Sequence, residues 1–256
     1  MDMISIPQKS IMAIPDHGWQ YEILPCPFCK KGEIIQQTQL LKKSLMHQLL
    51  TKGINHTKLK QTEIGNIPNE WRIVKLEDVC TTRNEMIQPN VNDKGRFVGL
   101  EHVDPSNPRL TRYGIASNVK SSKFVFYAGD ILYGKLRPYL DKAVISDFDG
   151  ISSTDLIVLT PKEQISSKFL IHIIHSSRFI QHANLTTTGT NHPRTSWKSL
   201  KEFIFGLPSI SEQEKIASII FEIDQKIDFE IKRKALLEQI KRGLMNDLLT
   251  GKKRLN

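Results

Sequence analysis

Disulfide chemistry has little to draw on in these 256 residues. The three cysteines, Cys26, Cys29 and Cys80, are too few and too unevenly spaced for a disulfide framework, so a reducing cytoplasm is the expected location. No window approaches 18 consecutive apolar residues, so neither a membrane span nor a membrane partner is expected. The opening MDMISIPQKSIMAIPDHGW has no basic region followed by an apolar run, and no secretory leader is expected from it. Catalytic signatures are missing too. An adenine methyltransferase would carry an Asn/Asp-Pro-Pro-aromatic tetrapeptide and a Gly-rich cofactor strand, and a nucleotide-driven motor would carry G-x-x-x-x-G-K-[ST]. None of these occurs. The eight histidines show no H-E-x-x-H spacing, and no suitably spaced Glu-x-Lys follows Asp147, Asp149 and Asp155 in a strand, as a nuclease would require. Cys26-Pro27-Phe28-Cys29 has the form of one zinc knuckle, but a structural zinc needs four ligands and no second pair follows. The expectation is a non-catalytic chain with no metal and no cofactor of its own.

What is present is positive charge. With 36 Lys and Arg against 27 Asp and Glu the chain carries +9, which favours a polyanionic partner, nucleic acid first. The surplus is uneven: +3 over residues 1–66, +4 over 67–210, −4 over 211–231 and +6 over 232–256. The sharpest contrast lies in one C-terminal stretch that turns from acidic to basic halfway along.

That stretch also carries the clearest secondary-structure signal. Ser211-Glu212-Gln213-Glu214 reads as a capping box. Apolar residues then recur at Ile216, Ile220, Ile223 and Ile227, and again at Leu237, Ile240, Leu244 and Leu248, with a register shift around Ile231 and Ala235. The spacing predicts a long helix with a narrow coiled-coil seam, stopped by Gly251. A helix over 211–250 is roughly 60 Å long and too long to bury in one small core. It must pair with something.

A repeat sharpens this. Residues 41–51 (LKKSLMHQLLT) match residues 240–250 (IKRGLMNDLLT) at an offset of 199, with six of eleven positions identical. The chain thus holds the end of one unit and then a complete second unit. Between them, residues 62–210 read as one α+β domain. Strands are expected at 96–100, 123–127, 130–133, 142–146 and 155–160. A helix is expected over 166–184, with Phe169, Leu170, Ile173, Ile174 and Ile180 on its apolar side and His172 and His175 partly exposed.

Five stretches occur in an order that resembles the DNA-specificity (S) subunit of type I restriction–modification systems. They are Thr62-Glu63-Ile64-Gly65-Asn66-Ile67-Pro68-Asn69-Glu70-Trp71, the strand Phe97–Val103, the core Gly129–Ala143 (GDILYGKLRPYLDKA), Ser152–Leu159, and Leu207–Ala217 (LPSISEQEKIA). The resemblance covers most of residues 62–250 and fails before about residue 33. It implies a non-catalytic targeting protein in a half-length form. The α+β target-recognition domain (62–210) reads double-stranded DNA. A conserved spacer helix (211–251) follows it, a partial conserved helix (33–55) precedes it, and a leader (1–32) lies outside the pattern. The implied partners are modification (methyltransferase) subunits and, through them, the restriction subunit, which carry the S-adenosylmethionine and ATP chemistry.

DNA reading needs cations for phosphates and forked donors for base edges. Residues 109–142 are the most basic part of the domain, and Arg112, Lys120, Lys123, Lys135 and Arg137 are its candidates. Lys135 and Arg137 flank Leu136 and can share one face of a strand end. A second reading stays open, in which Arg137 or Lys142 pairs with Asp130, Asp141 or Asp155 as scaffold. The polar loop 186–197 adds Thr190, Asn191, His192 and Arg194, at a position that the resemblance sets near DNA; an ordinary surface loop is the alternative.

Antiparallel pairing suits the charges, since Lys42, Lys43 and Lys52 would then face Glu212, Glu214, Glu222, Asp224, Asp228 and Glu230. The seam from Leu237 through Ile240 and Leu244 to Leu248 would be left over. A homodimer joined antiparallel through it is one expectation, and folding of the terminus onto its own domain is the other. A protein of a different class, a coiled-coil interaction protein or rearranged fragment without DNA affinity, remains the alternative function.

Overall fold

The structure, a computed structural model, describes residues 27–90 and 92–251, with side chains from residue 32 onward. The leader and the Cys26–Cys29 knuckle fall outside the described side chains. The chain enters on a helix, α1 (Pro27–Lys52), which Gly53 ends. There the backbone is left-handed (φ 67°), and a Cβ would stand 2.5 Å from Glu212 Oε1 and 2.8 Å from the Trp71 ring, so only glycine fits.

Three short strands follow: β1 (Leu59–Thr62) and β2 (Gly65–Pro68), which pair with each other, and β3 (Arg72–Lys75). Helix α2 (Leu76–Val79) leads to β4 (Cys80–Thr82), β5 (Met86–Ile87), β6 (Arg96–Val98), β7 (Gly114–Ile115) and β8 (Lys123–Phe126). Next come β9 (Ile131–Gly134), β10 (Ala143–Ile145), β11 (Gly150–Ser152) and β12 (Leu156–Pro161). Helices α3 (Ser167–Ile174), α4 (Ser177–Leu185) and α5 (Trp197–Leu200), then β13 (Ile204–Leu207), lead into the 40-residue α6 (Ile210–Leu249). Among the described residues no helix is long and apolar enough to cross a membrane.

Strands β10-β9-β12-β4 form an antiparallel sheet, and β5-β8-β11-β6-β7 form a mixed sheet with one parallel pair, β11 with β6. The antiparallel sheet is covered on both faces, and its period-2 alternation divides cleanly. Ile131, Tyr133, Ala143 and Leu159 join the helical side. Leu132, Val144, Leu156 and Val158 join Val98 and Phe126 of the mixed sheet. Burial on both faces is why these strands read as continuous apolar runs in the sequence.

The expected strands are present within a residue or two, and the fold is α+β with a long C-terminal helix. Other expectations need correction. The helix expected over 166–184 is two helices, because His175 turns away to Asp141 Oδ1 (2.7 Å) and the Ala143 carbonyl (3.1 Å) while Ser176 caps α4 by accepting from the Phe179 amide. His172 is buried, 4% exposed, and loss of solvation pushes its pKa down to about 3. Helix α6 is capped by Ser209, which accepts from the Glu212 amide (3.4 Å); Ser211 is not the cap, and Glu214 is exposed. Glu212 instead accepts from the Ile54 amide (3.1 Å) and Trp71 Nε1 (3.0 Å), with His56 Nε2 at 2.8 Å. That carboxylate ties the end of α1, the domain entry and the start of α6 together.

Helices α1 and α6 run antiparallel, with Lys42 Nζ 2.5 Å from Asp224 Oδ1. Met46, Leu49 and Leu50 of α1 share one core with Ile67, Trp71 and with Ile216 and Ile220 of α6. So the first half of α6 does fold onto its own domain, while Ile240, Leu244 and Leu248 of the second half are exposed.

Candidate nucleic-acid interface

Strand β9 ends at Gly134, and the chain continues as Lys135-Leu136-Arg137. This extension is held on both edges by backbone. The Lys135 amide donates to the Asp155 carbonyl (3.0 Å), and the Lys135 carbonyl accepts from the Thr195 amide (2.9 Å). The Arg137 amide donates to the Pro193 carbonyl (2.8 Å), and Leu136 pairs with Arg194 as an antiparallel bridge. Arg137 and Asp141 are left-handed non-glycine residues (φ 52° and 51°) that bracket a tight turn over residues 138–140. A left-handed conformation costs an L-residue about 1–2 kcal/mol, so the docked loop has to hold Arg137 in place. Arg137 therefore does not continue a strand beside Lys135. It stands exposed at a turn while Lys135 is half-buried.

The loop 186–197 is a small hairpin rather than an open loop. Thr188 and Arg194 exchange both backbone hydrogen bonds at 2.9 Å, and Gly189 (φ 90°) makes the reversal. Thr190, Asn191 and His192 lie exposed at its tip. Arg194 is exposed with Nη2 3.3 Å from Asp155 Oδ1. The structure thus brings Lys135, Arg137, Thr190, Asn191, His192 and Arg194 onto one pinned platform, although residues 137 and 190 are far apart in sequence. Tyr139, in the turn that follows Arg137, is 56% exposed. It was not among the sequence candidates, because a Pro-Tyr turn does not reveal whether its ring is buried.

The remaining candidates do not join this platform. Lys123 is only 7% exposed; its ammonium donates to the Ser121 carbonyl (2.9 Å) and hydroxyl (2.5 Å) beside the Phe97 ring, so it is a structural cation of β8. Arg112 is exposed and paired with Asp104 within its own loop. Lys120 is exposed at the edge of the mixed sheet. The scaffold reading fails in its pairing: Lys142 donates to the Leu100 carbonyl (2.8 Å), and among the described residues neither it nor Arg137 pairs with Asp130, Asp141 or Asp155, which take other partners. Asp130 receives Arg83, Thr160 and the Tyr127 amide, and Asp141 receives His175. Among the described residues no group of three or more His, Cys, Asp or Glu is placed to hold a metal ion. Cys80 is buried, donates to the Leu76 carbonyl (3.3 Å), and has its pKa pushed up to about 12 by burial.

Chemically, the platform offers guanidinium, ammonium, hydroxyl and amide groups over a few residues, a set suited to phosphate oxygens and base edges together. It offers no nucleophile paired with a base. Residues 68–239 match the family described as the type I restriction modification DNA specificity domain. The type I restriction enzyme MjaVIII specificity subunit of Methanocaldococcus jannaschii is 28% identical over 243 residues, which is 88% of this chain and 57% of that protein. The EcoDI specificity subunit of Escherichia coli is 28% identical over 159 residues, covering 61% of this chain and 35% of that protein. The crystal structure of the HsdS subunit from Thermoanaerobacter tengcongensis has the same fold, with a TM-score of 0.55 at 16% identity over 86% of this chain and 52% of that one. The chain spans about half the length of these relatives or less.

Proposed function

Because the chain belongs to the family of type I restriction modification DNA specificity domains, we propose that it is a sequence-specific DNA-binding specificity subunit with one target-recognition domain. It works in the cytoplasm as a non-catalytic part of a larger enzyme, directing modification subunits, and through them a restriction subunit, to double-stranded DNA. The methyl-transfer and ATP chemistry belongs to those partners, and this chain brings no cofactor. The observation that carries the reading is the platform of Arg137, Arg194 and the hairpin tip Thr190–His192, the base of the hairpin being joined by backbone hydrogen bonds to the Lys135–Arg137 extension of β9. A site built on pinned backbone can read a sequence, whereas a mobile basic loop would bind any polyanion. Two copies then pair antiparallel through Leu237, Ile240, Leu244 and Leu248, which supplies the second recognition domain of a split site.

The chain co-purified with a modification subunit should give a salt-dependent mobility shift on its methylated target. In that assay Arg194→Ala or Arg137→Ala should weaken specific binding by about 1–3 kcal/mol, while Lys123→Met should leave it unchanged. Equal loss on specific and random DNA would assign Arg194 to phosphate alone. Absence of any shift would leave a helical interaction protein, the reading that the exposed second half of α6 favours. Sequencing of the methylated genome adds the symmetry test: a split palindromic motif supports identical halves, and an asymmetric one opposes them.

A further inference from the structure

The motif that recurs at an offset of 199 residues is buried in one place and exposed in the other. In α1, Met46, Leu49 and Leu50 are 9, 6 and 8% exposed, packed with Ile67, Trp71, Ile216 and Ile220. In α6 the matching Met245, Leu248 and Leu249 are 50, 41 and 81% exposed. The same side chains in the same order therefore have a built receptor in this chain, and it is filled. We propose that the receptor for the end of α6 is this same cradle on a second copy of the chain, so that α1 is a built-in plug that must leave before two copies pair. The inference rests on the self-pairing proposed above and gives it a register and a switch.

The register follows from the contacts that α1 makes. Lys42 meets Asp224 at 2.5 Å, Gly53 lies against Glu212, and Gly32 lies near the Lys234 ammonium. Lys241 is the repeat of Lys42. A second α6 laid in the place of α1 sets its Lys241 beside Asp224. Both residues belong to α6, so each copy makes that contact to the other. Any antiparallel pair of identical helices has a two-fold axis; what the repeat fixes is its position, near Lys232 and Arg233. That point lies close to the middle of α6, so the two helices overlap along nearly their whole length. It is also where the charge changes sign. The acidic half of each helix (−4 over 211–231) lies beside the basic half of the other (+3 over 232–251). Phe229 and Leu236, 62 and 57% exposed in the single chain, come to face each other across the axis.

The plug fits the cradle incompletely. Beneath α1 a cavity of about 620 Å³ remains, lined in part by Lys42, Met46, Arg109, Asp224, Ile227 and Ile231. Asp224 Oδ2 and one Arg109 guanidinium nitrogen are buried there with no hydrogen-bond partner among the described residues. Unpartnered buried polar atoms weaken a contact. The end of α6 also brings Leu237 where α1 has Thr38, adding apolar surface that the plug lacks. Because each copy offers the same cradle and the same helix end, replacement of α1 by the end of a second α6 is reciprocal and closes a two-fold dimer.

The test is the dimer dissociation constant of the full chain by sedimentation velocity, with the same substitution made in each copy of the motif. Lys42→Glu loosens the plug at a partly exposed position and should tighten the dimer roughly tenfold. Lys241→Glu removes the equivalent contact between chains and should weaken it roughly tenfold. Met46→Ala and Met245→Ala form a second pair with the same opposite signs, and circular dichroism checks that each variant folds. Lys42→Glu leaving the dimer unchanged or weaker, or Lys241→Glu and Met245→Ala both without effect, would overturn the plug. If Leu244→Glu abolishes a wild-type dimer while the paired variants fail to move in opposite directions, self-pairing stands and the plug falls. If no variant dimerises at any accessible concentration, both fall.

Discussion

The two halves of α6 are written in nearly the same pattern and have opposite fates. In the first half Ile216, Ala217, Ile220 and Ile227 are buried. In the second, Ile240, Leu244 and Leu248 recur at the same three- and four-residue spacing and are 49, 49 and 41% exposed. Residue type does not separate them. What lies opposite does: α1 and α3 cover the first half, whereas Ile240, Leu244 and Leu248 join no core cluster among the described residues. The first half even buries polar side chains with partners. Gln213 is fully buried, its Oε1 accepting from the Ser166 amide (2.9 Å) and its Nε2 donating to the Gln164 and Pro208 carbonyls (3.1 and 3.0 Å). Apolar periodicity announces that a helix needs a partner; it does not say whether the partner is in the same chain.

The comparison breaks if the two halves respond alike to truncation. Ile220→Ala removes a fully buried side chain from the core shared with α1 and should lower unfolding stability by about 2–5 kcal/mol. Leu244→Ala should change the unfolding of the single chain by less than about 0.5 kcal/mol and act only on association. Chemical denaturation at low concentration separates the two, and equal losses would show that the second half is already packed.

Acid should find the first half through α3, the helix packed on it. His172 is buried there, its pKa lowered to about 3 by loss of solvation first, then by the nearby charges of His175 and Lys42. The unfolded chain takes up this proton near the ordinary histidine value of about 6.5, whereas the folded chain resists until about 3. Between those limits the unfolded state binds more protons, so stability falls as pH is lowered from about 6.5 toward 3, by up to about 1.4 kcal/mol per unit. Above about 6.5 the residue contributes no pH dependence. His172→Gln should flatten the acid limb of a stability–pH profile, and a variant profile parallel to the wild type would contradict the burial.

How much of this was readable in the sequence depends on where the determining contact lies. Strands β9, β10 and β12 were legible because burial on both faces writes a continuous apolar run. The four-residue β1, β2, β3 and β13 were not, since each is completed by a pairing that local composition does not signal. The break between α3 and α4 was hidden for the same reason: it depends on His175 meeting Asp141, 34 residues earlier. At the candidate site the residue types were legible, and the loop 186–197 stood out as polar. Its zipper onto Leu136 was not legible, and neither was the burial of Lys123, where charge alone suggested exposure. The stretch ending in Trp71 was recognisable only as a pattern. Its physical reason is the indole N–H donated to Glu212, 141 residues on.

The smallest expected effect lies at the first turn of α6, where two overlapping Ser-x-x-Glu frames compete. Ser209 with Glu212 and Ser211 with Glu214 both satisfy the capping-box spacing. The structure uses the earlier frame for the cap alone: Ser209 accepts from the Glu212 amide, but the Glu212 carboxylate does not turn back, because Ile54, His56 and Trp71 already occupy it. Ser211 and Glu214 are left exposed. Ser209→Ala should therefore lower stability by about 1 kcal/mol, the usual worth of an N-cap, and Ser211→Ala by no more than about 0.3 kcal/mol. Thermal melts of the two variants measure the difference directly. A larger loss at Ser211 would move the start of α6 by two residues, and with it the placement of Glu212 that joins this half of the helix to the domain.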